Sequence, residues 1–246
     1  GKNIIKDTMT ILVTGGTGSL GSELQNSYPE CLSPSRDDLD ITNNNQVIDY
    51  FNNHSIDLVI HTAAITSVRL CEEDRKLAWN TNVQGTKNLV NAVIQSKNNI
   101  KFVYISTACV FDGYGELYKE NDIPYPENFY ALTKLIGENE ISKIKNHLII
   151  RTNFVSKKPW SYPAAFTDRF GTYLFAETVA RGIAEILNEN LNGIIHLVGD
   201  KKISMFELAK ITTPNILPMT MNDYSGPRLT KDMSLDTKIW KKYALI

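Results

Sequence analysis

Cysteine is scarce in this chain: Cys31, Cys71 and Cys109 are the only three in 246 residues, at wide and unpaired spacings. That excludes a disulfide framework and a thiolate metal centre, and fits a reducing compartment. Histidine is nearly as sparse. His54, His61, His147 and His196 stand singly without ligand spacing, so core or surface roles are expected and no metal site. No uninterrupted apolar run reaches the ~18 residues of a membrane span, and the leader Gly1 to Thr8 has no signal-peptide core, so a cytoplasmic protein without a membrane partner is expected. An excess of one charge is also missing: 26 Lys and Arg stand against 27 Asp and Glu, a formal net charge of −1. Nothing in that balance favours nucleic acid, and a small-molecule ligand fits better. Trp79, Trp160 and Trp240 form no stacking array, and no repeat or low-complexity tract is visible.

What the chain does have is a glycine-spaced turn in the right place. Ile11 to Thr14 reads as a buried strand, and Gly15, Gly18 and Gly21 follow it three residues apart. In such a turn the first glycine permits the tight bend, the second lets the backbone approach a pyrophosphate, and the third packs helix on strand. The helix expected over Ser22 to Ser27 then points its positive dipole end at the anion. Glycine spacing alone is weak, and a plain turn explains a lone match. Here a helix-like stretch (Asn43 to Asn53) and a second apolar strand (Asp57 to His61) follow, completing the βαβ rhythm of a dinucleotide site.

Apolar runs recur at Leu58 to His61, Phe102 to Ser106, Leu148 to Arg151 and Ile194 to Val198, separated by helical periodicity at Leu77 to Lys97, Ala131 to Ile144 and Phe175 to Leu187. This alternation predicts an α/β fold, a doubly wound, Rossmann-like parallel sheet. Residues 1–152 and 172–198 are assigned to the dinucleotide-binding core, and 153–171 with 199–246 to a small, shortened C-terminal substrate lobe. Asp236 to Tyr243, with Lys238, Lys241 and Lys242, is expected as a solvated terminal helix. Ligands of open α/β sheets bind outside the carboxyl ends of the strands, here after Thr14, Arg36, Ala63, Thr107 and Arg151.

Tyr130 and Lys134 lie four residues apart, so on a helix they share a face. Chance supplies such a pair, and a surface helix is the bland explanation. Its company raises it, because Ser106 and Thr107 end a strand at the same sheet edge. Lowering a phenol from ~10 to ~7 needs ~4 kcal/mol. One ammonium at ~4 Å and an effective dielectric of ~20 supplies about that much. Lys134 is thus expected to bring the Tyr130 proton near neutrality.

The glycine turn, Ser106-Thr107 with Val110-Phe111-Asp112-Gly113, and the run Tyr130 to Glu138 (YALTKLIGE) together resemble the extended short-chain dehydrogenase/reductase family, and within it the sugar nucleotide reductases. Gly226-Pro227-Arg228 through Ser234-Leu235-Asp236-Thr237-Lys238, and Phe170 to Tyr173 with Ala176-Glu177, extend the resemblance over most of the chain. The resemblance implies reduction of the keto group of a 4-keto-6-deoxy sugar nucleotide by NADPH. Tyr130 would give the proton, Thr107 with Ser106 would orient the carbonyl, and Lys134 would also hold the nicotinamide ribose. It implies cofactor contacts from Gly15, Thr17, Gly18, Ser19, Leu20 and Gly21 in the turn, from Asp40 and Ile41 at the adenine edge, and from Ala63, Ala64, Thr66, Asn82 and Ser106. Substrate contacts would come from Thr66, Val68, Thr107 and Arg228, with Lys157, Lys158 and Trp160 as further candidates.

Arg36, at the end of the second strand, favours NADP, while Asp37 and Asp38 leave NAD open. No acidic residue follows Thr107, since Ala108-Cys109 stands there, which argues against the family's dehydratases. The stretch between Arg151 and Gly171 is shorter than in the sugar nucleotide reductases. An epimerase of the same family and a non-catalytic NADP-binding regulatory subunit stay as alternatives, and a homodimer, common in the family, stays open.

Overall fold

The computed structural model describes residues 9–246, so the leader Gly1 to Thr8 lies outside the described residues. Its frame is a parallel sheet ordered β1 (Ile11–Thr14), β2 (Leu58–His61), β3 (Lys101–Thr107), β4 (His147–Thr152) and β5 (Gly193–His196). The connections are helical. α1 (Ser19–Ser27) and α2 (Asn44–Asn53) join β1 to β2; α3 (Val68–Glu73), α4 (Arg75–Trp79) and α5 (Gly85–Gln95) join β2 to β3. α6 (Phe129–Ile141) joins β3 to β4, and α7 (Ala176–Asn188) joins β4 to β5.

Period-two alternation within these strands explains why both faces are covered. Ile11, Val13, Ile60, Val103 and Ile150 pack with Leu24 of α1 and Val179, Ile183 and Ile186 of α7. Leu12, Val59, Phe102, Tyr104 and Ile149 pack on the other side with Val47, Leu89, Val93 and Ile141. Each fully buried side chain of this kind contributes ~1.5–3 kcal/mol relative to exposure, so a one-residue slip in register would forfeit both layers.

After α1 the chain returns on the side of β1 opposite β2, where Leu32 N donates to Ile11 O at 2.7 Å and Val13 N to Leu32 O at 2.8 Å. The strand expected to end at Ser35-Arg36 is reduced to this single bridge. The reversal still makes the carboxyl end of β1 a topological switch point, the place where open α/β sheets take ligands.

Residues 164–171 and 203–233 form two small sheets. Ala164–Phe166 pairs with Leu217–Met219, while Phe170–Gly171 lies between Ile203–Ser204 and Asp232–Met233. Strands of two or three residues carry no periodicity, so the sequence did not announce them, nor α3 or α8 (Met205–Thr212), which starts at a Ser204/Glu207 capping box.

Two expected elements are corrected. Leu77 to Lys97 is not one regular helix, because a π-helical turn at Asn80–Gln84 separates α4 from α5. Asp236 to Tyr243 is not helical. The Glu120 carboxylate accepts from Thr237 Oγ1 at 2.7 Å and Lys238 N at 2.9 Å, and Tyr243 N donates to Val198 O at 3.0 Å, so tertiary partners replace intrahelical bonds. Tyr243 is buried against the main core rather than solvated.

Candidate active site

The turn after β1 is shaped by contacts that only glycine allows. Gly15 has φ +72°, and a Cβ there would fall 2.5 Å from Thr62 Oγ1 and 2.7 Å from Ala63 N. A Cβ at Gly21 would lie 2.1 Å from Gly15 O, so α1 sits directly on the turn. Gly18 caps α1 without a side-chain bond, and the first turn of α1 holds no acidic residue. Its free amides and positive end therefore face the cleft unneutralised. Around them the backbone is pinned: Thr14 Oγ1 accepts from Thr62 N at 3.1 Å and Ala63 N at 3.2 Å, and Thr62 Oγ1 donates to Thr14 O at 2.6 Å. With two amides already on it, Thr14 Oγ1 gives its own proton to His61 Nδ1 at 2.6 Å, leaving Nε2–H for Thr86 Oγ1 at 2.9 Å. Burial, reinforced by the Lys134 charge, pushes His61 down to about 3, so it is a neutral core residue.

Two connected hollows flank this turn. One, of about 330 Å³, is lined by Gly16, Ser33, Ser35, Arg36, Asp40 and Ile41. The other, of about 650 Å³, is lined by Gly15, Thr17, Gly18, Ser19, Leu20 and Gly21 together with Ala63, Ala64, Thr66, Val68, Ser106, Thr107, Tyr130 and Lys134. Gly15, Thr17 and Ala63 border both. Residues 100 positions apart in the chain thus meet in one cleft across the sheet edge.

In the first hollow the acids are engaged. Asp40 Oδ1 accepts from Thr42 N at 3.0 Å and Thr42 Oγ1 at 2.7 Å, which with the nearby Arg36 charge holds its carboxyl below the usual range. Asp38 accepts from Ser35 Oγ at 3.3 Å. Neither Asp37 nor Asp38 lines the hollow, whereas Arg36 does.

In the second hollow, Thr107 ends β3 and its Oγ1 accepts from Cys109 N at 3.1 Å, leaving the hydroxyl proton to donate. Tyr130 stands in the first turn of α6, whose cap is Asn128: its Oδ1 accepts from Ala131 N at 2.9 Å, and Phe129 N donates to Glu72 Oε1 at 2.8 Å. Lys134 is buried, with Nζ 4.4 Å from the centre of the Tyr104 ring. Desolvation brings it down to about 8, against the pull of Glu138. The expectation for Tyr130 is corrected. Burial raises its phenol well above the ordinary value, Cys109 and Cys71 add to the rise, and the Thr107 side chain alone works the other way. The Coulomb estimate counted attraction and left out the desolvation of both groups.

Four other expected site residues are placed elsewhere. Asn82, in the π-helical turn, does not line either hollow. Its Oδ1 accepts from Ile65 N at 2.8 Å, and its Nδ2 donates to Ile65 O and Thr133 Oγ1, both at 3.0 Å. It fixes the Ala63 to Thr66 segment through Ile65. Arg228 is paired with Glu127 at 2.8 Å, outside the lining. Lys157 is paired with Glu177, and Trp160 packs against the lobe. Ser106 does line the cleft, but its Oγ donates to Glu138 Oε2 at 2.6 Å, and Glu138 in turn accepts Arg151 Nη2 at 2.7 Å.

The model of the family described as RmlD substrate binding domain matches residues 9–166. The chain belongs to that family. It is similar to dTDP-4-dehydrorhamnose reductase from Aggregatibacter actinomycetemcomitans, at 29% identity over 226 residues, covering 81% of this chain and 76% of that protein. It is also similar to methionine adenosyltransferase 2 subunit beta from Pongo abelii, at 25% identity over 270 residues, 92% of this chain and 80% of that protein. Among solved structures, dTDP-4-dehydrorhamnose reductase from Bacillus anthracis, in complex with NADP, matches with a TM-score of 0.84 at 26% identity, covering 92% of this chain and 90% of that chain. The extended short-chain dehydrogenase/reductase resemblance drawn from the sequence is thereby shown.

Sequence reasoning missed several wall residues of this RmlD-family cleft: Cys109, Thr152, Asn153 and Phe154 in the larger hollow, and Gly16, Gln25 and Ser33 in the smaller. The first four lie at or just beyond the carboxyl ends of β3 and β4, so strand-end position was the available signal. Among the described residues no group of three or more His, Cys, Asp and Glu side chains is arranged to hold a metal ion, and no helix is long and apolar enough to cross a membrane.

Proposed function

We propose that this chain reduces the keto group of a 4-keto-6-deoxy sugar nucleotide with NADPH. The observation that carries this reading is the convergence of Thr107, Tyr130 and Lys134 on one cleft with the free amides of α1. The residues present suit a dinucleotide: a glycine cradle that a Cβ would fill, an unneutralised helix start, and a buried ammonium at the cleft wall. A reduced nicotinamide, when bound, supplies hydride to the keto carbon. Everything else falls to the protein. Thr107 donates its hydroxyl proton to the carbonyl oxygen and fixes its direction. Tyr130, kept protonated by burial, is a proton donor and not a base, which is the form reduction requires. It gives its proton to the developing alkoxide. Lys134 would hold the ribose hydroxyls of the bound dinucleotide beside it. On the adenine side, Ser35 and Arg36 would hold a 2′-phosphate while Asp38 and Asp40 are occupied by their own neighbours, which favours NADP over NAD.

The test is loss of NADPH absorbance with a panel of keto sugar nucleotides, NADH run beside it. Consumption that requires a 4-keto-6-deoxy sugar supports the reading; NADPH binding with no turnover of any keto sugar nucleotide overturns it. Turnover of a sugar nucleotide without net NADPH loss would mark an epimerase. Similarity to an adenosyltransferase subunit over 92% of this chain motivates a second reading, a non-catalytic NADP-binding subunit. Tyr130→Phe separates the two. The catalytic reading expects turnover to fall by about 10²–10⁴-fold with NADPH affinity kept, and unaltered output removes the phenol from the mechanism.

A further inference from the structure

Thr152 is the last residue of β4 and the register partner of Thr107 on β3, so two hydroxyl side chains stand side by side at the sheet edge, one strand spacing apart. Both line the larger hollow. Their hydrogen bonding differs. Thr107 Oγ1 is engaged by Cys109 N, but Thr152 is 2% exposed and its Oγ1 has no hydrogen-bond partner among the described residues. An orphaned buried hydroxyl is costly, and β4 could have ended in valine at no loss of shape. The neighbouring Asn153 is already engaged, its Nδ2 directed to Met233 Sδ at 3.5 Å.

The surroundings define what would satisfy it. Ile105 and Phe154 border the same hollow and pack with the core layer under α1. Thr152 therefore sits on the same side of the sheet as the amides proposed to hold the pyrophosphate, between two apolar walls. A flat heteroaromatic ring with one polar substituent fits that combination. A hydroxyl both donates and accepts, as does a carboxamide, and a turn of about 120° about χ1 exchanges its methyl and hydroxyl positions without moving the backbone.

We propose that Thr152 is a cofactor-binding residue whose hydroxyl takes the carboxamide of the nicotinamide ring, fixing which face of the ring lies toward Thr107 and Tyr130. This rests on the dinucleotide reading above. Thr152→Val and Thr152→Ser test it by calorimetry with two probes, NADPH and 2′,5′-ADP, together with thermal melting of the unliganded protein. Because the hydroxyl has no partner to lose, Thr152→Val should melt at or above the wild-type temperature. It should weaken NADPH about tenfold, leave 2′,5′-ADP unchanged, and Thr152→Ser should restore most of the loss. Equal NADPH affinity in wild type and Thr152→Val overturns the inference. So does a lower melting temperature with parallel losses for both probes, which would make the hydroxyl structural. Wild-type protein that binds neither probe overturns the dinucleotide reading itself.

Discussion

Lys134 shows how one residue's environment sets a measurable pH dependence. Its ammonium is buried and falls to about 8 in the unliganded protein. Below that pH the charge is present; above it the group becomes neutral. NADPH affinity should therefore be greatest below pH 8 and fall as pH rises through it, approaching tenfold per pH unit at most if only the charged form binds. Lys134→Met should bind more weakly and lose that slope, as titration of affinity from pH 6 to 10 would reveal. Its effect on stability has the opposite sense. The unfolded lysine, at ~10.4, holds its proton where the folded one has lost it, so this group favours the fold increasingly as pH climbs between the two values.

Among elements, the π-helical turn at Asn80–Gln84 carries the most consequence for the cleft. It aims Asn82 sideways out of the helix line so that one amide satisfies both backbone groups of Ile65 and also reaches Thr133 on α6. One side chain thereby ties the wall after β2 to the helix that bears Tyr130 and Lys134. π-turns cluster at functional sites for this sort of re-aiming. Asn82→Ala would leave the half-buried Ile65 N–H without its partner and the Ile65 C=O with only the Cys71 thiol at 3.5 Å, and should cost about 1–3 kcal/mol in urea unfolding. NADPH affinity should fall as well, since Ala63 to Thr66 lose their anchor. Wild-type stability in this variant would show the contacts to be dispensable.

Across the whole molecule, the parallel sheet and the C-terminal segment are joined through buried charge. Glu138 and Arg151 form a pair at 2.7 Å with side chains 5% and 3% exposed, Ser106 donates to the same carboxylate, and Arg151 Nη1 lies 3.4 Å from His196 Nε2. His196 Nδ1 lies 2.9 Å from Asp236 O, so the network runs from the cleft to the segment Asp236 to Tyr243. Removing one partner leaves the other buried and unpaired. Glu138→Leu should cost about 3–5 kcal/mol of unfolding free energy, while Glu138→Leu with Arg151→Met should recover much of it. Equilibrium unfolding of both variants checks this, and a near-neutral single substitution would mean the arginine reaches water on its own.

Much of the fold was legible because it is written locally. β1 and β2 were readable to the residue from their apolar runs, and β3 to β5 to within one or two, because a strand buried on both faces must be apolar throughout. The glycine turn was legible because Gly15 and Gly21 stand where no side chain fits. Tyr130 and Lys134 could be paired from helix geometry alone. Tertiary structure decided what depends on partners distant in the chain. It engaged Asn82 with Ile65, gave Arg228 to Glu127, and held Asp236 to Tyr243 out of a helix against Glu120 and Val198. It also reversed the sign of the Tyr130 shift. A sequence fixes which charges and hydroxyls are available and how they repeat along the chain, but desolvation and hydrogen-bond satisfaction are set by what folds over each group, and only the assembled cleft defines that.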